Sequence, residues 1–165
     1  MMLRYKHMET VVGRLKLVAD EASLIAVLWP GDTPMRVRLE DMREDVRHPV
    51  LVEAGRQLSE YFQGRRTTFE LPLLMRGTAF QKRVWQQLLR IPYGQTQSYG
   101  RLALAIGNGS ASRAVGLANS KNPLSIVVPC HRVIGASGKL TGFAGGLDVK
   151  ARLLELEGAQ GRLLP

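Results

Sequence analysis

The sequence predicts an α+β chain in two parts: a strand-and-helix unit over residues 1–75 and a mainly helical unit over residues 76–165. Short apolar or alternating runs bounded by turn residues fill the first stretch and lead into one amphipathic helix, whereas the second half shows helical spacing almost throughout. The charge changes at the same place. Residues 1–77 hold 12 Lys/Arg against 11 Asp/Glu, and residues 78–165 hold 11 against 3. A chain of 165 residues suits one domain with a real core, or two small ones packed together.

In order, Leu3–Met8, Leu15–Ala19 and Leu24–Trp29 read as strands, with turns at Val12-Gly13 and Asp20–Ser23. Pro49 opens a helix whose apolar positions are Leu51, Ala54, Leu58, Tyr61 and Phe62, and Gly64 stops it. Thr67–Leu73 alternates enough to be a further strand. This first unit shows no catalytic constellation and reads as support. Thr78 with Gln81 three residues on makes a capping box, followed by the stripe Phe80, Val84, Trp85, Leu88 and Leu89, and Pro92-Tyr93-Gly94 ends that helix. Ser98 opens a second helix with Tyr99, Leu102, Ala103 and Ile106 at helical spacing. A third, from Ser110 to Ser120, is rich in small residues, including Ala111, Ala114, Val115, Gly116 and Ala118. Asn122-Pro123 stops it and starts an extended segment from Leu124 to Val128. Five glycines follow between Gly135 and Gly146, and a last helix from Asp148 to Glu157 carries Val149, Leu153 and Leu156 on one face before Gly158.

Composition narrows the function. No run approaches the roughly 18 apolar residues of a membrane span, and no apolar signal core follows Met1–Lys6. One cysteine excludes an intramolecular disulfide and a multi-cysteine zinc site, and His7, His48 and His131 show no metal-ligand spacing. The expectation is a cytoplasmic protein without metal or cofactor. From Leu71 through Leu147 there is no acidic residue, while Arg76, Lys82, Arg83, Arg90, Arg101, Arg113, Lys121, Arg132 and Lys139 all fall inside. Such a one-sided field suits a polyanion, nucleic acid first; an idle basic surface is the alternative.

Two short helices about the Gly107–Gly109 break, inside that basic region, have the layout of a helix-turn-helix with Arg113 in the first turn of the second helix. An ordinary helical hairpin fits the spacing equally well. The single cysteine, Cys130, lies in Ile126-Val-Val-Pro-Cys-His-Arg-Val-Ile134. It is either a small buried hydrophobe or, with a proton acceptor and a cation beside it, a thiolate nucleophile.

That nine-residue run resembles the signature of the methylated-DNA–protein-cysteine methyltransferases, which repair 6-O-alkylguanine. The surroundings agree: Thr78-x-Phe80-Gln81-x-x-Val84-Trp85, Ile91-Pro-Tyr-Gly94, Ser98-Tyr-Gly100, Arg113-Ala-Val-Gly116, Asn119, Asn122-Pro123 and Gly145-Gly146-x-x-x-Lys150. The match covers about residues 76–158, and the first half agrees in length and strand-helix pattern. The resemblance implies a ribonuclease H-like N-terminal unit and a winged-helix C-terminal unit that binds the minor groove of duplex DNA and flips out the damaged base. It implies Cys130 as alkyl acceptor, His131 as general base, Glu157 as the carboxylate orienting His131, Asn122 as a brace and Tyr99 as donor to the leaving base. It places DNA contacts at Arg113, Ser98, Ala114, Ala118, Lys121 and Arg132, and the base pocket at Val133, Phe143, Ala144 and Tyr99. Phe143 and Ala144 depart from the tyrosine and serine frequent in the family, which bears on substrate preference. The expected protein is a monomer that acts once on 6-O-methylguanine, with 4-O-methylthymine as a second lesion and cooperative binding along DNA left open. A non-catalytic lesion sensor or regulator is the alternative, against which Cys130 beside His131 speaks. A cysteine hydrolase would leave the basic helix-turn-helix unexplained.

Overall fold

The structure, a computed structural model, describes residues 2–159. It is α+β, with a small N-terminal sheet and helix followed by a mostly helical C-terminal part. Strands β1 (Leu3–Thr10), β2 (Gly13–Ala19), β3 (Leu24–Leu28) and β4 (Met42–Glu44) form one sheet in the order β3-β2-β1-β4. The two hairpins are antiparallel and closed by side chains. Thr10 Oγ1 accepts from Val12 N and donates to Gly13 O, and Asp20 Oδ1 accepts from Ala22 N and Ser23 N. β4 pairs parallel to β1 and has no counterpart in the sequence reading. Its three residues, Met-Arg-Glu, carry neither alternation nor β-branched side chains.

Helix α1 (Pro49–Phe62) starts where His48 Nδ1 accepts from Val50 N, with Pro49 in the first turn where its missing N–H costs nothing. Leu51, Ala54, Leu58 and Tyr61 on its inner face are fully buried. The strand expected at Thr67–Leu73 does not form. Only Leu73 bridges to the sheet, at Leu24, while the Gln57 side chain takes both backbone groups of Glu70, at 2.8 and 3.0 Å. A buried amide here replaces a neighbouring strand.

Helix α2 (Ala79–Leu88) has the full capping box: Thr78 Oγ1 accepts from Gln81 N at 3.1 Å and Gln81 Oε1 from Thr78 N at 3.0 Å. Thr78→Ala should lower stability by about 1 kcal/mol, read by denaturant unfolding, because a first-turn N–H loses its acceptor. Helices α3 (Tyr99–Ala105, capped by Ser98) and α4 (Ser112–Ser120) pack on each other and on α2. A two-residue parallel sheet, β5 (Gln97–Ser98) with β6 (Val133–Ile134), ties the start of α3 to the chain just after Cys130. Helix α5 (Leu147–Leu156) runs into Glu157 at its C-cap.

The expected extended run Leu124–Val128 is instead a tight turn. Val127 N donates to Ser125 O and Val128 N to Leu124 O, with Ile126 at φ 74°. A β-branched residue there is strained, and such residues persist where the surroundings hold them. The surroundings are the N-terminal sheet. Val27 N donates to Pro123 O at 2.8 Å, Val27 bridges Leu124, and Trp29 Nε1 donates to Ser125 Oγ at 3.0 Å. Buried side chains of both parts, from Leu15 and Leu58 to Val115 and Leu153, form one continuous core.

Candidate active site

Cys130, His131 and Arg132 make a single 3-10 turn entered from Pro129, and all three are buried. His131 is fully enclosed, and its Nε2 lies 2.7 Å from Glu157 Oε2. An ionised carboxylate only accepts, so Nε2 carries the hydrogen and Nδ1 is left as the basic nitrogen. Nδ1 has no hydrogen-bond partner in the protein. The Cys130 thiol, next to it in the chain, makes no hydrogen bond to Nδ1.

Glu157 is the densest hydrogen-bond acceptor of the site. Oε2 accepts from His131 at 2.7 Å, Tyr61 Oη at 2.6 Å and Arg132 Nη2 at 3.0 Å; Oε1 accepts from Arg132 Nε at 2.8 Å and Gly94 N at 3.4 Å. Burial pushes its acidity toward the neutral form, but the bonds and charges of His131 and Arg132 outweigh it and hold the carboxyl far below the usual range. Gly94 is required here: its φ is 82° and a Cβ would stand 3.1 Å from Glu157 O.

Burial pushes the Cys130 thiol up, opposed by hydrogen bonding from Asn122 and by the charges of Arg36 and Lys150. Burial also pushes His131 down, against the pull of Glu157. The resting pair is therefore neutral thiol and neutral imidazole, a base ready to receive a proton. Asn122 braces the turn as well, donating to Val128 O at 2.8 Å and accepting from Leu124 N at 3.0 Å.

Tyr99 Oη accepts from Thr141 Oγ1 at 3.0 Å, and the Thr141 carbonyl accepts from Lys150 Nζ at 2.8 Å. Lys150 is fully enclosed, and burial lowers it to about 8. Val133 is buried in β6, Phe143 is half-buried edge-on to Trp29, and Ala144 is exposed. Gly145 is fixed by the same tryptophan, whose ring a Cβ would meet at 2.8 Å.

Arg113 and Ala114 are exposed in the first turn of α4, and Ser98 is half-buried with its hydroxyl accepting from Arg101 N. Lys121 turns its ammonium to Met35 O. Two expected DNA contacts are corrected. Arg132 is buried, its guanidinium spent on Glu157 and on Ile91 O at 2.7 Å. Ala118 lies on the inner face of α4, 3% exposed, where its carbonyl accepts from Trp85 Nε1.

Four residues of the site escaped the sequence reading of roles. Tyr61 comes from α1, and Asn119 Nδ2 lies 3.4 Å from Cys130 O. Arg36 grips Asp32 and donates to Asn122 O at 2.8 Å and Ser120 O at 3.3 Å. Asn119 and Lys150 stood among the residues of the resemblance, and Lys150 left a second signal: a lysine three and four residues before the buried Leu153 and Leu154 sits on the inner stripe of α5.

Among the described residues no three His, Cys, Asp or Glu are grouped to hold a metal ion, and no helix is long and apolar enough to cross a membrane. Two family models match the chain: the 6-O-methylguanine DNA methyltransferase ribonuclease-like domain over residues 3–75 and the DNA binding domain of the same family over residues 79–159. A methylated-DNA–protein-cysteine methyltransferase of Methanosarcina acetivorans is 61% identical over 155 residues, 94% of this chain and 98% of that protein. The constitutive enzyme of that name from Bacillus subtilis is 46% identical over 157 residues, 93% of this chain and 94% of that protein. The crystal structure of Mycobacterium tuberculosis OGT in complex with DNA superposes with a TM-score of 0.86 at 46% identity, covering 95% of this chain and 94% of that one. With both halves matched and a buried Cys-His pair backed by a carboxylate, the chain belongs to the methylated-DNA–protein-cysteine methyltransferase family.

Proposed function

We propose that this chain is a single-use DNA repair protein that takes the methyl group of 6-O-methylguanine onto Cys130. The observation that carries the reading is the His131–Glu157 pair, with Nε2 committed to the carboxylate and Nδ1 free to accept the thiol proton. His131 accepts that proton through one water. The thiolate attacks the methyl carbon, a C–S bond forms, and the C–O6 bond breaks with its electron pair leaving on the guanine. Charge develops on the base as it leaves, and Tyr99 Oη, free to donate while accepting from Thr141, stabilises it. Burial favours the step in a second way: a thiolate raised by desolvation is a stronger nucleophile once formed, and transfer removes its charge from the interior.

The target atom lies inside the base stack, so the nucleotide is flipped into the pocket edged by Val133, Phe143 and Ala144. Arg113 on the exposed start of α4 fills the space it leaves, from the minor-groove side, with Ala114 small enough to let the helix approach. The protein acts as a monomer in the reducing cytoplasm, where a lone thiol stays free. The product is a thioether without an easy return, so each molecule acts once.

Incubation with a duplex carrying 6-O-methylguanine should add one methyl group to the peptide containing Cys130, seen by mass mapping. An unmodified cysteine beside unrepaired lesion, in folded and reduced protein, overturns the reading. Arg113→Ala should slow lesion repair by roughly tenfold or more, as for loss of one specific contact, while low-salt duplex binding changes little. Equal loss in both would make Arg113 an ordinary phosphate contact.

A further inference from the structure

The N-terminal part contributes a donor to Glu157, and it comes from the helix that the sequence reading took as support. Tyr61 Oη lies 2.6 Å from Glu157 Oε2, the oxygen that also binds His131 Nε2, and both side chains are buried. We propose that Tyr61 is a positioning residue of methyl transfer, whose hydroxyl draws charge from Glu157 and so limits how strongly that carboxylate favours protonated His131. The inference rests on the methyl-transfer reading above and gives the N-terminal part a share in the chemistry.

The geometry separates holding from tuning. Arg132 grips both oxygens of Glu157 through Nε and Nη2, and Gly94 N adds a further donor. That fork fixes the carboxylate without Tyr61. What the tyrosine adds is a short charge-assisted bond at the oxygen shared with His131. Its phenol stays a donor at every working pH, because burial and the Glu157 charge push its ionisation far above the ordinary value. The other ionisable groups around the imidazole are Arg132 and Lys150, which oppose its protonation, with Cys130 as its neighbour in the turn and Tyr93 beside Glu157. Among the described residues Glu157 is the one anion that favours the imidazolium, so whatever weakens its pull keeps His131 neutral and able to act as base.

Tyr61→Phe keeps the ring that packs against Phe62, Phe69 and Tyr93 and removes only the hydroxyl. The test is the pH–rate profile of single-turnover methyl transfer from 6-O-methylguanine duplex, for wild type and Tyr61→Phe. Its acid limb reports a base that must be neutral to work, and in the variant it should move to higher pH by roughly half to one unit, the size of one lost hydrogen bond to a charged group. An NMR titration of the 15N-labelled His131 ring, without DNA, should move the same way. A chain with fluorinated tyrosine at position 61, a stronger donor in the same place, should move both downward and serves if Tyr61→Phe does not fold. A uniform loss of rate with an unmoved limb and an unmoved titration assigns Tyr61 a packing role and overturns the proposal. Absence of transfer in the wild type would instead overturn the methyl-transfer reading, while the His131 titration still reads the effect of Tyr61.

Discussion

Replacing Cys130 with serine should lower methyl transfer by on the order of a thousandfold or more, the scale seen when a nucleophile is removed from a coupled site. A hydroxyl is far less acidic than a thiol, and His131 is held neutral by burial and lacks the basicity to ionise it. Binding to the lesion duplex should stay close to that of wild type. Cys130 is 5% exposed and offers little surface, while Arg113 and Ala114, exposed in the first turn of α4, are untouched. Transfer followed by mass mapping and binding followed by fluorescence anisotropy separate the two effects. Transfer at the wild-type rate would mean a different nucleophile.

The largest stability effect is expected at Glu157. Glu157→Gln keeps the shape but removes the charge that Arg132, Tyr61 and His131 all address, leaving a buried guanidinium without an anion and forcing an amide N–H against donors. Losing one partner of a buried pair costs about 3–5 kcal/mol, a large part of the roughly 5–15 kcal/mol that holds a domain of this kind. Denaturant unfolding at neutral pH should show it, together with loss of transfer. Replacing Arg132 and Glu157 together by methionine should cost less than Glu157→Gln alone, because no charge is then stranded. The pH dependence has a definite sign. Glu157 is more acidic folded than its ordinary 4.5, so its stabilisation is complete above that value and is lost as the pH falls toward the folded one. His131 sits below its ordinary 6.5, so the unfolded chain takes up that proton first and stability begins to fall below about that pH. The gap between wild type and Glu157→Gln should therefore narrow in acid.

What could be read in the sequence is what local chemistry dictates. The capping box at Thr78, the Pro49 start of α1, the Asp20 turn and the Ser98 cap are each settled by residues at most three apart, and the structure shows them all. The failures are contacts between distant segments. Gln57 replaced a strand at Glu70, β4 formed because β1 offered an edge, and the turn at Ile126 is held by a sheet nearly a hundred residues earlier. Arg132 looked like one more cation in a basic stretch, but the anion that buries it lies 25 residues on. Tyr61 read as one apolar residue in an amphipathic stripe; the hydroxyl at its end found a carboxylate 96 residues away.

Those separations also bear on how the chain folds. Trp29 with Ser125 and Tyr61 with Glu157 each span 96 residues, and contacts of that range form late, since a long loop must close before they stabilise anything. Until α1 meets the end of α5, Glu157 has His131 and Arg132, 26 and 25 residues away, but lacks the Tyr61 donor. The full set of donors around Glu157 is complete only when α1 and the end of α5 meet, so the last of them arrives together with completion of the core.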